Sequence, residues 1–330
     1  MIQLRKVHEH STIRLLATVT GALALAVAAV GLVARQLPII NEVVLVLAAV
    51  SPYLTVAGVL SMVLFAIVRR WMLTIVAALL CVVMLLLLLP RYLGPEKNTV
   101  PSVPVRVLTA NLGLGQADPK AVIALARDTA DVLVLQEMTP GAAVALSAAG
   151  LDAVMPYRSI DPRKNAEGIG IWSRYPIADS LAVSGYQLAM RITRIQVPGV
   201  AISPTVLAVH LAAPWVQPLK YFRNDIARFP TTLQAAARDA GSGAVIVAGD
   251  LNSTYDMRPF RRLLDEGYRD AAEQAGAGLT PSFPARAWLG IDHVLVRNAT
   301  ATAAQTVPVP GSDHRGLSTV VEIPVDPTAS

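Results

Sequence analysis

The chain has 330 residues, 54% of them hydrophobic and only 15% charged, with a mean hydropathy of +0.51. A typical soluble domain carries about 25% charged residues, so this composition excludes a disordered chain and argues against a soluble enzyme along the whole length; the single cysteine excludes an internal disulfide framework and a Cys-rich zinc site. Eight Lys/Arg and three acids lie before Pro101, which leaves 20 basic of 28 and 20 acidic of 23 for the remainder, so the formal charge of +5 belongs to the first part and gives no global argument for polyanion binding.

Three apolar runs open the chain, Leu15–Ala34, Val43–Val68 and Trp71–Leu89, none holding a charged residue. Each matches the roughly 20 residues that cross a hydrocarbon core, which predicts three transmembrane helices (about 15–34, 43–68 and 71–89) in a membrane domain of residues 1–92. The first run is too long for the apolar part of a signal peptide. Arg5, Lys6 and Arg14 precede the first span, and Arg69 and Arg70 separate the second from the third. The positive-inside rule puts these in the cytoplasm, and three crossings put everything after Leu93 outside; Arg91 alone stands against that assignment. Residues 93–104 (LGPEKNTVPSVP) read as an extended tether of about 3.1 Å per residue, followed by a domain over 105–330.

In that domain Val105–Ala110 predicts a strand. Asp118-Pro119 starts a helix to about Ala130, with Asp as N-cap and Pro at the first helical position. Strands follow at Asp131–Gln136, Gly168–Ser173, Leu188–Val197 and Thr205–His210. Pro218–Ala240 reads as helix with a break at Pro230, Ala244–Ala248 as a buried strand, Arg258–Glu266 as a short helix, and Ile291–Val296 and Leu317–Ile323 as the last strands. Hairpin-like strand series interspersed with helices point to an α/β four-layer sandwich, two central sheets flanked by helices.

Polar residues recur at the ends of these strands. Asn111 ends LTAN, Glu137 ends VLVLQE, His210 ends LAVH, Asp250 and Asn252 lie in GDLN, Asp292 opens IDHVLV, and Asp313 and His314 form SDH before the last strand. One such residue is an ordinary cap. The whole set, drawn from Asn, Asp, Glu and His, converges on one pocket if two sheets end on a common edge. Those residue types suit a hard divalent ion held by oxygen, with histidines for proton and charge work.

The series N … QE … GIGIWSR … VHL … GDLN … IDHVLV … SDH resembles the endonuclease/exonuclease/phosphatase superfamily, the group of DNase I, apurinic endonucleases, sphingomyelinases and inositol-phosphate phosphatases. The resemblance spans about Val103 to Ile323. It implies a DNase I-like fold and a metal-dependent phosphoric ester or anhydride hydrolase. It further implies Mg²⁺, with Mn²⁺ as an alternative, at Asn111 and Glu137 with Asp313 close by. His314, oriented by Asp292, would face the scissile phosphate as a base for water or a stabiliser of the phosphorane. His210 would donate to a phosphoryl oxygen, Asp250 would orient or deprotonate water, and Asn252 would hold a phosphate oxygen or that water. Three N-terminal spans joined to such a domain resemble the VanJ-type membrane proteins linked to teicoplanin resistance.

Nuclease relatives often carry extra Arg, Lys or Tyr before GIGIWSR, where this chain has DPRKNAEG. Arg163 and Lys164 are either solvated or a clamp on a second phosphate. Asn165 occupies a place where the family often has a substrate-contacting Asn. His293 stands where relatives often have Tyr, and strand alternation points it away from Asp292, toward a packing role. Trp215, Tyr221 and Phe222 are either core or a substrate rim.

Three functions compete. The leading expectation is a multi-pass, outward-facing phosphoesterase acting at the lipid bilayer on a lipid-linked phosphate or pyrophosphate. A short tether presents a headgroup at high effective concentration, and the VanJ-type resemblance implies a polyprenyl pyrophosphate carrier. An outward-facing nuclease is disfavoured by the neutral domain charge, because nucleic-acid affinity rests on Lys/Arg–phosphate contacts. A non-catalytic receptor or scaffold is disfavoured by the complete polar set.

Overall fold

The computed structural model describes residues 2–94, 100–286 and 288–328. The chain divides into two compact units, Met1–Pro90 with Asp256–Arg258, and Arg91–Tyr255 with Pro259–Ser330.

The first unit contains α1 (Ile2–Ala34), α2 (Glu42–Ala49), α3 (Thr55–Ile67) and α4 (Trp71–Leu88). Among the described residues two helices, not the expected three, are long and apolar enough to cross a membrane: Ser11–Ala34 and Trp71–Tyr92. The run expected to span 43–68 is interrupted at Ser51-Pro52. Proline supplies no backbone donor to an α-helix, and the Ser51 hydroxyl takes the Ala48 carbonyl at 2.9 Å. The turn closes instead through tight bonds such as Leu54 N to the Ser51 carbonyl, 3.1 Å. What remains, α3, has 13 residues, about 20 Å at 1.5 Å per residue against a core of about 30 Å. It packs on both α1 and α4, with the Phe65 ring against Gly21 and the Cys81 sulfur against Gly58.

The remaining elements are β1 (Ser102–Asn111), α5 (Pro119–Thr129), β2 (Val132–Gln136), α6 (Pro140–Ala148), α7 (Leu151–Val154), β3 (Tyr157–Asp161), β4 (Ile169–Ser173), β5 (Ile177–Ala182), β6 (Arg191–Ile195), β7 (Thr205–His210), α8 (Leu219–Ala240), β8 (Val245–Asp250), α9 (Arg258–Leu264), β9 (Arg269–Asp270), α10 (Ala271–Gln274), β10 (Asp292–Arg297), β11 (Thr300–Pro308) and β12 (Arg315–Pro324). They form two six-stranded sheets, β11-β12-β1-β2-β4-β3 and β5-β6-β7-β8-β10-β9. This is the two-sheet sandwich with outer helices expected from the sequence.

The inner faces share one core, which includes Val105, Val132, Ile171, Val206, Ile246 and Val294. A second cluster packs Leu108, Leu133 and Trp172 against Val122, Ala126 and Leu146 of α5 and α6. The linker expected over 93–104 lies partly outside the described residues, and its last three residues belong to the sheet, since Ser102 pairs with Pro324. Helix α8 runs through Pro230 without the expected break. The lost hydrogen bond, worth up to about 3 kcal/mol with the ring clash, is outweighed by burial of Phe222, Ile226, Phe229 and Leu233 on one face.

Topology sets where chemistry can occur. The pairs β1–β2 and β7–β8 are parallel, whereas β10 runs antiparallel to β8 and β12 antiparallel to β1. Carboxyl ends of β1, β2, β7 and β8 therefore meet amino ends of β10 and β12 at one edge.

Candidate active site

Asp250, the last residue of β8, sits in register with His210 at the end of β7 and with Asp292 at the start of β10. All three are buried. The His210 Nε2 lies 3.6 Å from Asp250 Oδ2, and the His314 Nε2 lies 3.8 Å from the same oxygen. His314 Nδ1 binds Asp292 Oδ2 at 2.8 Å. One carboxylate thus stands between two imidazoles, and a second carboxylate anchors one of them.

Backbone geometry fixes this arrangement. Gly249 has φ +155°, and a Cβ there would run into the Val209 carbonyl oxygen, so β7 and β8 approach closely just before Asp250. Asp250 Oδ1 accepts from Asn252 N at 2.8 Å, and the Asn252 amide donates to the Leu211 carbonyl at 2.9 Å. Asn252 adopts φ +47°, a left-handed conformation that asparagine tolerates. Glu137, with φ +55°, turns back toward β1. Its Oε2 accepts from Leu114 N at 2.6 Å and its Oε1 from Asn111 Nδ2 at 3.1 Å. A non-glycine residue in this region is strained, and such strain clusters at functional sites.

Asn111 joins the two halves: its Nδ2 also reaches Asp250 Oδ2 at 3.2 Å, while its Oδ1 accepts from Gly113 N at 2.9 Å. Expected as an oxygen ligand, it presents its nitrogen to both acids in this arrangement. Asp313 is exposed beside the Gly113 turn. Arg163, expected as solvated or as a phosphate clamp, forms a two-pronged pair with Asp161 at 3.1 and 2.8 Å. Lys164 and Asn165 are exposed, Asn165 at φ +55°. No hydrogen bond among the described residues joins Arg163, Lys164 or Asn165 to the His–Asp cluster. Phe222 is core, whereas Trp215 is exposed.

Three further participants were not expected from the sequence. Ser282 Oγ accepts from Asp292 N at 3.1 Å and from Ile291 N at 3.2 Å. The Phe283 ring lies 4.8 Å from the His314 ring. Ser312 Oγ donates to the Asn111 carbonyl at 2.7 Å and accepts from His314 N at 3.0 Å; a serine two residues before His314 is the one of these that a turn motif would have revealed.

The charges are strongly coupled. Burial, and then the Asp292 charge, raise the Asp250 carboxyl to about 6 against the opposing pull of His314 and His210. Burial alone would lower the His314 pKa, but the charge and hydrogen bond of Asp292, reinforced by Asp250 and Asp313, push it up to about 10. Asp250, Asp292 and His314 offer ligand atoms within 4.8 Å of one another, and Asp292 Oδ1 is buried without a hydrogen-bond partner. Two adjacent buried acids with a spare oxygen are a donor set that fits a small divalent cation.

Residues 108–314 match the sequence model of the Endonuclease/Exonuclease/phosphatase family. The chain belongs to that family. Its members are metal-dependent phosphodiesterases, phosphatases and nucleases, and the chain is an enzyme of that class, a metal-dependent phosphoric ester or anhydride hydrolase. Among solved structures it is similar to a humanized TDP2 from D. rerio (17% identity, TM-score 0.53, 66% of this chain and 98% of that one). It is also similar to the 3′ phosphatase NExo from Neisseria bound to a product DNA hairpin (20%, 0.51, 65% and 98%). A third is an endonuclease/exonuclease/phosphatase from Bacteroides vulgatus (16%, 0.52, 67% and 99%). These likenesses concern the fold. No curated protein matches the chain. The family match begins after the apolar helices, at residue 108.

Proposed function

We propose that this chain is a membrane-anchored phosphoesterase that faces outward and hydrolyses a phosphate ester or pyrophosphate of a lipid-linked, polyprenyl-type substrate. One observation carries the reading: loops at the charged site edge expose large apolar side chains. The loop leaving His210 holds Trp215 and Val216, and the loop entering Asp292 holds Trp288; Val216 is 86% and Trp288 64% exposed. Lys220, Arg223 and Arg286 accompany them, also exposed. Exposed Trp with basic neighbours suits a phosphate headgroup joined to an apolar chain. The two long apolar helices support anchoring, because only 17% of each span is buried, unlike the core helix of a soluble protein.

Within the site we assign His314 as a cationic donor to a non-bridging phosphoryl oxygen. A pKa of about 10 keeps it protonated at neutral pH, so it stabilises charge rather than removing a proton. Asp250, with its carboxyl near 6, is ionised at neutral pH and basic enough to take the proton of the attacking water. His210 is assigned as a second phosphoryl donor, Asn252 as a guide for phosphate oxygen or water, and Asp292 as the group that orients His314. Water oxygen bonds to phosphorus as the bridging P–O bond breaks; from a pyrophosphate the leaving group is itself a phosphate and departs without an acid, whereas an ester's alkoxide takes its proton from solvent water. Mg²⁺ or Mn²⁺ held by Glu137 and Asp313, or by the Asp250–Asp292 pair, would neutralise phosphoryl charge. Arg163, Lys164 and Asn165 are left as outer contacts for a larger substrate.

Charge placement supports the outward side. Arg5, Lys6 and Arg14, in the first half of α1, share a side with Arg69 and Arg70 only if the chain returns between them, through the interrupted pair α2–α3. Broken helices are tolerated at membrane depth where protein surrounds them.

The test offers polyprenyl pyrophosphate and plasmid DNA side by side to the full chain in detergent, with and without chelator. Phosphate release from the lipid, abolished by chelator and with DNA intact, is the expected result. Nicked DNA without lipid turnover would establish a nuclease instead, and turnover of neither would leave a scaffold.

A further inference from the structure

Strand alternation sends Asp292 and His293 to opposite faces of β10. Asp292 serves His314. His293 is buried with both ring nitrogens engaged: Nδ1 lies 2.7 Å from Asp270 Oδ2, and Nε2 lies 2.9 Å from the Ser253 carbonyl and 3.2 Å from that of Gly290. The Phe260 ring stacks on it at 4.2 Å. Asp270 is itself fixed, since its Oδ1 caps α10 by accepting from Glu273 N at 3.0 Å. The far end of this chain of contacts is the turn 250–253, where Asn252 holds its φ of +47° and Leu251 N donates to the Ile291 carbonyl at 2.9 Å.

We infer that His293, held by Asp270, is a positioning residue: by donating to the Ser253 carbonyl it fixes the turn that presents Asp250 and Asn252 to the substrate. One dipeptide, Asp292-His293, then orients both the phosphate-facing histidine and the water-facing aspartate. The inference rests on the phosphoesterase reading above for its effect on rate, and on geometry alone for its effect on the turn.

Three variants of the full chain in detergent separate the two ties. His293→Phe keeps the stacking and loses both polar contacts. His293→Gln places an amide nitrogen where Nε2 stands and keeps the Ser253 tie. His293→Asn mimics Nδ1 and keeps only the Asp270 tie. With Mg²⁺ and bis(p-nitrophenyl) phosphate as a water-soluble probe, Phe and Asn should lower kcat roughly 10–100-fold at nearly constant KM, the scale expected for a misplaced catalytic group. Gln should recover most of the rate. Hydrogen exchange at Leu251 and Asn252 should quicken in Phe and Asn and stay near wild type in Gln. A wild-type chain inactive on every phosphoester would sink the phosphoesterase reading, and the exchange data would still judge the clamp. Gln and Asn variants that behave alike, in rate or in exchange, would overturn it, and so would a folded His293→Phe chain with wild-type kcat and exchange.

Discussion

The Asp292 carboxylate and the His314 ring, 22 residues apart in the chain, meet at 2.8 Å, and their bond joins the two sheets. Asp292 opens β10 in one sheet and His314 immediately precedes β12 in the other. The pair therefore links the sandwich halves at the edge where the polar residues converge. Protonation and stability are coupled through it.

That coupling has a sign. His314 rises from an ordinary 6.5 to about 10 on folding, so its contribution to stability is fully present below about 6.5 and is lost as pH rises toward 10. Asp250 is also raised, from 3.8 to about 6, so its contribution is present below 3.8 and is lost on the way to 6. Thermal melts of the full chain in excess chelator should fall in two stages as pH rises. In Asp292→Asn the upper stage should shrink or vanish; an upper stage that persists unchanged would contradict the assignment.

Glu137→Gln should lower metal-activated turnover by at least roughly 10²-fold, because the amide keeps the shape but not the charge. Of the two donors that now reach Glu137, Leu114 N and Asn111 Nδ2, the amide oxygen can keep one while the other loses its acceptor, so the melting temperature should fall only modestly, by about one hydrogen bond's worth. Turnover across a Mg²⁺ titration, with melts alongside, checks this; full activity in excess chelator would count against a metal at this residue.

Gly249→Ala places a methyl group against the Val209 carbonyl oxygen, at a φ that L residues rarely adopt. It should destabilise by more than about 1 kcal/mol and disturb Asp250 beside it. Denaturant midpoints would show it, and an unchanged midpoint would mean that β7 and β8 are less close there.

The strands bearing the site were legible because each is a short apolar run ending in one polar residue, as in LAVH and IDHVLV. β11 was not, since TATAAQTVP is an edge strand with only partial burial and a bulge between Ala301 and Ala303. The polar set was readable as residue types, but not its pairings. Arg163 pairs with Asp161, and His293 with Asp270, through contacts that no local pattern announces. The second apolar run misled for a local reason: its composition is that of a span, while Ser51-Pro52 ends the helix inside it.

Sidedness is testable in cells. A reporter active only in the cytoplasm, fused after Ser330, should stay silent, and one active only outside should report. The reverse pattern would mean that α2–α3 does not return the chain, and it would remove an outer-leaflet substrate from consideration.

The central claim is that His314, anchored by Asp292, acts at the scissile phosphate. The most direct measurement is a double-mutant comparison on the full chain with bis(p-nitrophenyl) phosphate and Mg²⁺. His314→Ala should lower kcat by at least roughly 10²-fold, Asp292→Asn somewhat less, and the double variant little more than His314→Ala alone, since residues acting as a unit are non-additive. A well-folded His314→Ala chain that cleaves the diester as fast as wild type would contradict the account.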